Sequence, residues 1–336
     1  MKKRWIALGV VALIGAGGYW GFQENKYRLP GMIQDWRDPV QPNHAVVWQQ
    51  GPGAAPVTAP GTKRPPNIIL IVADDLGWND ISLNGGGVAG GIVKTPNIDA
   101  LARQGLNFTT AYAANATCSP SRAAMMTGRY PTRFGFEFTA VPTAFAENLA
   151  HGGGLGPLKA VFHKELITDD IPDYPDMGVP PSEITIAEAV KAAGYHTIHI
   201  GKWHLGEAPR LQPNAQGFDE SLAILAGGAK FLPDDDPDTV NAKLPWDPID
   251  RFIWANLRHA VTFNGGKRFH PQGHMTDYFA AEAEKAIDAN KNRPFFMYLA
   301  FNAPHTPLQA TREEYDRLPQ IKDHKTRVYG AMIAQL

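Results

Sequence analysis

The fold is decided by one stretch of the sequence, Asn67-Ile68-Ile69-Leu70-Ile71-Val72-Ala73-Asp74-Asp75-Leu76-Gly77. Its first part is a continuous run of aliphatic, largely β-branched residues. A run that does not alternate with polar residues is typical of a central parallel strand covered on both faces. The run ends directly in two carboxylates. We therefore expect a buried strand whose carboxyl end presents acidic side chains.

Two further strands are predicted, at 196–200 and 295–301. Each follows a stretch with helical periodicity, at 186–193 and 276–290 respectively. Helices that alternate with apolar strands indicate an α/β fold with a largely parallel central sheet flanked by helices.

The N-terminus has the pattern of an export signal. Lys2, Lys3 and Arg4 precede an uncharged stretch at 5–22, so the chain that follows should be translocated. Small residues before Tyr19 favour cleavage, whereas a length close to the roughly 20 residues that span a bilayer favours a retained membrane anchor. Both interpretations predict a periplasmic or otherwise extracytoplasmic protein, secreted or anchored to the membrane by residues 5–22.

Composition divides the chain into three parts. Residues 1–22 are a signal peptide or anchor, residues 23–66 a Pro/Gly-rich linker, and residues 67–336 a folded domain. The formal net charge of -1 gives no reason to expect a nucleic-acid partner. The single cysteine excludes a disulfide within the chain and a zinc site built on several thiolates.

Polar clusters follow all three predicted strands at their carboxyl ends. They are Asp74-Asp75, Gly201-Lys202-Trp203-His204 and Asn302-Ala303-Pro304-His305. In open α/β sheets, ligands bind in the crevice beyond the carboxyl ends of the strands. We therefore expect two carboxylates, one lysine and two histidines to meet in one crevice.

The only cysteine lies in a longer motif. Cys118-Ser119-Pro120-Ser121-Arg122 is followed by Met126-Thr127-Gly128-Arg129. This resembles the signature of the sulfatase family, Cys-x-Pro-Ser-Arg and then Leu-Thr-Gly-Arg, from which only Met126 departs. The Gly-Lys-Trp-His-Leu-Gly segment around Lys202 is also a close match. The resemblance runs from Asn67 to Leu336 and implies an alkaline phosphatase/sulfatase-like α/β fold, incomplete here at its C-terminal side.

The resemblance implies a modified nucleophile and a metal. A separate formylglycine-generating enzyme would oxidise Cys118 to formylglycine. One hydroxyl of the aldehyde hydrate attacks sulfur and the other later expels sulfate, which divides a difficult substitution into two steps. Asp74, Asp75 and the modified Cys118 would bind Ca²⁺ or Mg²⁺, because hard cations prefer oxygen ligands.

The remaining site residues also take their roles from the resemblance. Arg122 would hold the formylglycine side chain, and Lys202 would bind a sulfate oxygen. His204 would act as the base that takes the hydrate proton, and His305 would protonate the leaving oxygen. Cys118 should begin a helix, whose backbone N–H groups favour an anion, with Thr117 as its cap.

Each motif also has a structural interpretation. Taken alone, Cys118 would be a buried thiol on a helix, Asp74 and Asp75 a solvated turn, and Lys202 and His204 part of a surface loop. Together they favour an enzyme that hydrolyses aryl or carbohydrate sulfate esters. The alternatives are a formylglycine phosphodiesterase or phosphonate ester hydrolase, which would share the nucleophile and the metal, and an inactive truncated remnant.

The C-terminal side lacks part of the family pattern. Sulfatases supply two more metal ligands and a second lysine downstream of the segment that contains His305, and no matching strand with an Asp-Asn pair follows here. Residues 328–336 have a helical pattern without a Gly or Pro stop. We therefore expect a truncated chain. Its 336 residues alone should be inactive or poorly folded, because a site with about half its ligands binds metal weakly.

Overall fold

The structure is a computed structural model that describes residues 28–55, 63–151 and 160–336. The predicted signal or anchor at 1–22 lies outside these ranges. Within them, every helix is too short or too polar to cross a bilayer.

A five-stranded sheet lies at the centre of the domain. Its strands are, in spatial order, β1 (Ile68–Val72), β6 (Phe295–Ala300), β2 (His196–Lys202), β3 (Glu220–Ile224) and β5 (Thr262–Phe263). The first four run parallel and β5 is antiparallel, which confirms the predicted α/β class and largely parallel sheet. A separate antiparallel ribbon consists of β4 (Thr239–Ala242) and β7 (Leu308–Thr311).

Helices follow or precede these strands along the chain. They are α1 (Leu29–Arg37), α2 (Pro96–Gln104), α3 (Cys118–Thr127), α4 (Thr143–His151), α5 (Ile186–Ala192), α6 (Met275–Asn290), α7 (Arg312–Asp316) and α8 (His324–Gln335). A single helical turn at Val88–Gly91, a π-helical segment at Ile249–Ile253 and short 3-10 segments complete the regular structure.

Side chains of the sheet alternate between two apolar cores, as the two-residue period of a strand requires. On β6, Met297 and Leu299 pack into the core that includes Phe279 of α6. Phe296 and Tyr298 point the other way, into the core that includes Met126 of α3 and Ala187 of α5. The domain is therefore a three-layer α/β/α arrangement with α3 fixed against one face of the sheet.

The position of β1 differs from the prediction. The aliphatic run does form a parallel strand, but it lies at one end of the five-stranded sheet and pairs with β6. Ile69 and Ile71 are 43% and 54% exposed, so the expectation of a central strand covered on both faces is wrong for this chain. The amino-acid composition of a strand indicates whether its side chains favour burial. It does not determine which segments pack beside the strand, because that depends on the rest of the fold.

The segment at 23–66 is more than a tether in its described part. Trp48 is buried, and its Nε1–H donates a hydrogen bond to Glu282 on α6 at 2.9 Å. The backbone N–H of Gln49 donates to Glu220 on β3 at 2.7 Å. Proline and glycine predicted extended backbone, yet the buried indole attaches this backbone to the domain.

Candidate active site

The carboxyl ends of β1, β6 and β2 meet at one edge of the sheet, as predicted. Asp74 follows β1, Lys202 ends β2 and His305 follows β6. The backbone N–H of Asp74 donates to the carbonyl of Ala303 at 2.9 Å, which joins the two loops directly. Neighbouring parallel strands thus bring three distant segments of the sequence into one crevice.

Asp74 lies between two buried cations. Its Oδ1 is 2.8 Å from Nη2 of Arg122 and its Oδ2 is 2.6 Å from Nζ of Lys202. Burial alone would raise the pKa of Asp74, but the charges of Lys202 and Arg122 outweigh it and hold the pKa well below its ordinary value. The carboxylate is therefore ionised, with each of its oxygens paired to one cation.

Arg122 is buried, and its guanidinium contacts several elements of the site. Its Nη1 donates to the carbonyl of Lys202 at 2.9 Å and to the hydroxyl of Tyr298 at 3.1 Å. With the ion pair to Asp74, this connects α3, β2 and β6 around one guanidinium. Tyr298 was not predicted as a site residue, because an aromatic residue inside an apolar strand usually indicates packing. Its hydroxyl was the available clue, since a buried Tyr O–H needs a polar partner.

Cys118 is the first residue of α3 and is half-buried. Burial raises the pKa of its thiol, so the unmodified residue is neutral. Thr117 occupies the N-cap position as predicted. Its hydroxyl, however, donates to Asn115 Oδ1 at 3.1 Å and accepts no helix N–H, so the predicted side-chain cap is wrong.

His305 faces Asp75 across the crevice. Its Nδ1–H donates to the carbonyl of Thr306 at 2.5 Å, and its Nε2 lies 3.6 Å from Oδ2 of Asp75. Burial and the charge of Lys202 lower the pKa of His305, so its ring is neutral. The Asp75 side chain is 59% exposed. The two adjacent aspartates thus have different environments, one buried between cations and one at the rim.

His204 is buried just beyond the carboxyl end of β2. Its Nε2–H donates to the carbonyl of Ala140 at 3.0 Å, and its Nδ1 has no hydrogen-bond partner in the described part of the chain. Burial, reinforced by the charge of Lys202, lowers the pKa of His204 to about 3. The ring is a neutral imidazole with a free acceptor nitrogen, and a bound anion would raise its proton affinity.

The donor set fits a divalent cation in part. Among the described residues, possible ligand atoms of Asp74, Cys118 and His305 lie within 4.8 Å of one another. Asp75, the other predicted ligand, lies beside His305 and outside this group. Asn302, which the sequence analysis did not single out, has a buried Oδ1 without a hydrogen-bond partner in the described ranges. Oxygen donors of these kinds suit Ca²⁺ or Mg²⁺ once Cys118 carries oxygen in place of sulfur.

A cavity of about 700 Å³ opens in front of these residues. Cys118, Asp75, His204 and His305 are among the residues that line it. The lining also includes apolar and polar side chains, among them Phe145, Phe252, Asn148, Glu207 and Arg268. The Phe145 and Phe252 rings lie 5.7 Å apart. The cavity therefore has room for an organic group beside the site residues.

Comparison with known proteins gives consistent matches. Residues 66–336 match the family model described as Sulfatase. The chain is 34% identical to N-acetylgalactosamine-6-sulfatase of Mus musculus over 259 residues, which is 76% of this chain and 43% of the mouse protein. It is 30% identical to the arylsulfatase of Klebsiella aerogenes over 275 residues, 81% of this chain and 50% of that protein.

A solved structure agrees with the sequence matches. Ps i-CgsB in complex with k-i-k-neocarrahexaose superposes with a TM-score of 0.60 at 35% identity, over 80% of this chain and 52% of that one. The chain thus spans about half the length of the relatives it matches.

Proposed function

Because the chain belongs to the sulfatase family, we propose that the protein hydrolyses aryl or carbohydrate sulfate esters, with Cys118 converted to formylglycine as its nucleophile. One observation carries the proposal. Cys118 begins a helix at the mouth of a cavity, with Asp74 and His305 within 4.8 Å and two buried cations beside them. Such a site suits an anionic ester that must be held, attacked and protonated.

The residues of the chain divide the work between them. Arg122 and Lys202 place two positive charges next to Asp74, where they also offset the charge of a bound sulfate. His305 lines the cavity with Nε2 on the side of Asp75. The negative charge of a bound ester favours protonation of this nitrogen, and the protonated ring can then give the proton to the leaving oxygen. His204 has a free Nδ1 that can accept a proton from the formylglycine hydrate.

A divalent ion, Ca²⁺ or Mg²⁺, would be held by Asp74 and the modified Cys118, with Asp75 approaching from its position beside His305. Such an ion supplies charge that polarises a sulfate oxygen. Arg122 and Lys202 keep Asp74 ionised, and therefore ready for the metal, before any ion arrives.

The size and lining of the cavity suit a sulfate ester whose alcohol part is about as large as a sugar or an aryl group. Phe145 and Phe252 offer flat apolar faces, whereas Asn148 and Arg268 offer hydrogen bonds. The mouse relative is named for a sulfated amino sugar, and the solved structure is a complex with k-i-k-neocarrahexaose. We therefore rank carbohydrate sulfates above aryl sulfates.

Modification must precede folding and implies a partner. Ser119 is fully buried and Arg122 is 2% exposed, so a formylglycine-generating enzyme cannot read the motif in the folded domain. We propose that this enzyme acts on the unfolded chain and that export follows the pattern of the N-terminus, which gives a periplasmic or extracytoplasmic protein.

The first experiment examines Cys118 itself. The protein is co-produced with a formylglycine-generating enzyme, and the peptide that contains Cys118 is analysed by mass spectrometry. We expect the mass of an aldehyde in place of the thiol, and an unmodified thiol in the matched motif variant Pro120→Ala. A thiol in both proteins would contradict the proposal without any need for turnover.

A second experiment measures hydrolysis of an aryl sulfate, a sulfated sugar and a phosphodiester with added Ca²⁺. Turnover should disappear in Cys118→Ala. Faster hydrolysis of the phosphodiester would favour the phosphodiesterase alternative.

A further inference from the structure

Helix α1 carries an apolar stripe that faces away from the domain. Leu29, Met32, Ile33 and Trp36 follow the i, i+3, i+4, i+7 spacing of one helix face. They are 36%, 61%, 49% and 82% exposed, respectively. These four residues are called the outer stripe below. An apolar face of this kind, with a tryptophan almost fully open to solvent, is the surface of a helix that binds something apolar.

The opposite face of α1 is fixed on the domain, so the outer stripe cannot turn inward. Gly31 is buried, and a Cβ at this position would lie 2.5 Å from the carbonyl oxygen of Ala255. Asp35 pairs with Arg258 at 3.0 Å, and Asp38, which follows the helix, pairs with the same guanidinium at 3.5 Å. Close backbone packing and two ion pairs together set the rotation of the helix.

The position of α1 in the sequence places it close to the predicted membrane anchor. It lies outside the residues 66–336 that match the family, so the outer stripe belongs to an addition to the family domain. The uncharged stretch at 5–22 ends six residues before Leu29. Seven Cα–Cα steps extend at most about 25 Å, so a membrane that holds residues 5–22 lies within that distance of α1.

The charges that flank the outer stripe also suit a membrane surface. Arg28 and Arg37 bracket the helix, whereas its one acidic residue, Asp35, is paired on the inner side. Helices that lie in a membrane interface place apolar residues in the acyl boundary and basic residues at the headgroups. Tryptophan is enriched at that depth.

We propose that the outer stripe of α1 lies in the interfacial layer of a phospholipid bilayer, beside an anchor formed by residues 5–22. The proposal is independent of the reaction catalysed. It has a consequence for access, because Pro30 and Gln34 of the same helix line the active-site cavity. The cavity therefore opens close to the membrane surface.

Tryptophan quenching by brominated lipids tests the proposal on the full 336-residue chain. The chain is reconstituted in vesicles of phosphatidylcholine and phosphatidylglycerol with bromines at shallow or deep acyl positions. Trp36→Phe should lower the quenched fluorescence by roughly one third, since Trp5 and Trp20 are the other tryptophans near the proposed anchor. The loss should be larger for shallow than for deep bromines.

The matched control is Trp246→Phe, which removes another exposed tryptophan, 56% accessible and 4.9 Å from the Lys325 amine. Its quenching should equal that of the parent chain. Equal quenching in the Trp36→Phe and parent chains would overturn the proposal. A second measurement is the mass of the assembly in detergent, determined by sedimentation for the parent chain and for the double variant Met32→Gln, Ile33→Gln. A different mass in the double variant would also overturn the proposal, because it would mean that a second copy of the chain covers the outer stripe.

Discussion

The carboxylate of Asp74 and the guanidinium of Arg122 form an ion pair of 2.8 Å with side chains only 6% and 2% exposed. Lys202, fully buried, holds the other oxygen of the same carboxylate. Two cations that share one anion leave this buried group of three side chains with a net positive charge. Because both cations depend on the same carboxylate, we expect Asp74 to contribute strongly to stability.

Asp74→Asn should destabilise the protein strongly. It removes the partner of two buried cations, and breaking a buried pair on one side costs about 3–5 kcal/mol. Urea unfolding in the presence of a chelator measures this free energy without a contribution from metal.

Asp75→Asn is the matched control for that substitution. Its side chain is 59% exposed, and the neutral ring of His305 lies 3.6 Å away. The expected loss is below about 1 kcal/mol, because an exposed carboxylate is screened by solvent. Similar losses for the two variants would contradict the difference between the environments of the adjacent aspartates.

Tyr298→Phe should lower stability by about 1–3 kcal/mol, because it deprives the buried Arg122 of a hydrogen-bond acceptor. Thermal unfolding followed by circular dichroism measures the change. Tyr112→Phe, at a residue that is 89% exposed, should stay within about 0.5 kcal/mol of the parent protein. A neutral Tyr298→Phe would mean that the hydroxyl does not support the guanidinium.

Gly201→Ala should prevent stable folding. The residue has φ of 113°, and a Cβ there would lie 1.9 Å from the carbonyl oxygen of Ala300 on β6. Gly135→Ala is the control, because Gly135 also has positive φ, 78°, but a Cβ there meets nothing within 4 Å. The control should lose only the backbone term of about 1–2 kcal/mol. Yield of soluble protein and melting temperature distinguish the two variants.

Acid should destabilise the fold through His199. Burial lowers the pKa of this histidine from 6.5 to about 3, so the unfolded chain binds the proton more tightly than the folded one. The stabilising effect is therefore complete above pH 6.5 and is lost as the pH falls toward 3. At a pH near 5 the loss is about 2 kcal/mol for this residue.

The variant His199→Phe tests this linkage. Its ring lies among Trp203, Phe218 and Tyr298, so a phenyl ring keeps the aromatic contacts and loses only the hydrogen bond to Ser221. Melting temperatures between neutral pH and pH near 5 should fall less steeply in the variant than in the parent. Equal slopes would exclude His199 as a contributor to acid unfolding.

Local sequence determined the elements and most of the candidate site. Apolar runs ending in polar clusters placed Asp74, Lys202 and His305 at strand ends, because parallel strands present their carboxyl ends at one edge. The motif around Cys118 identified the helix and its first residue. These features depend on residues that are close together in the sequence, so they can be predicted from the sequence alone.

Only the tertiary structure decided which strand lies at the edge of the sheet. It also brought Tyr298 into contact with Arg122. It also showed that Trp48 secures the N-terminal segment to the domain. Each depends on contacts between residues far apart in the chain, where one side chain is compatible with several partners. Packing selects among those partners, because burial makes an unpaired polar group costly and a filled cavity favourable.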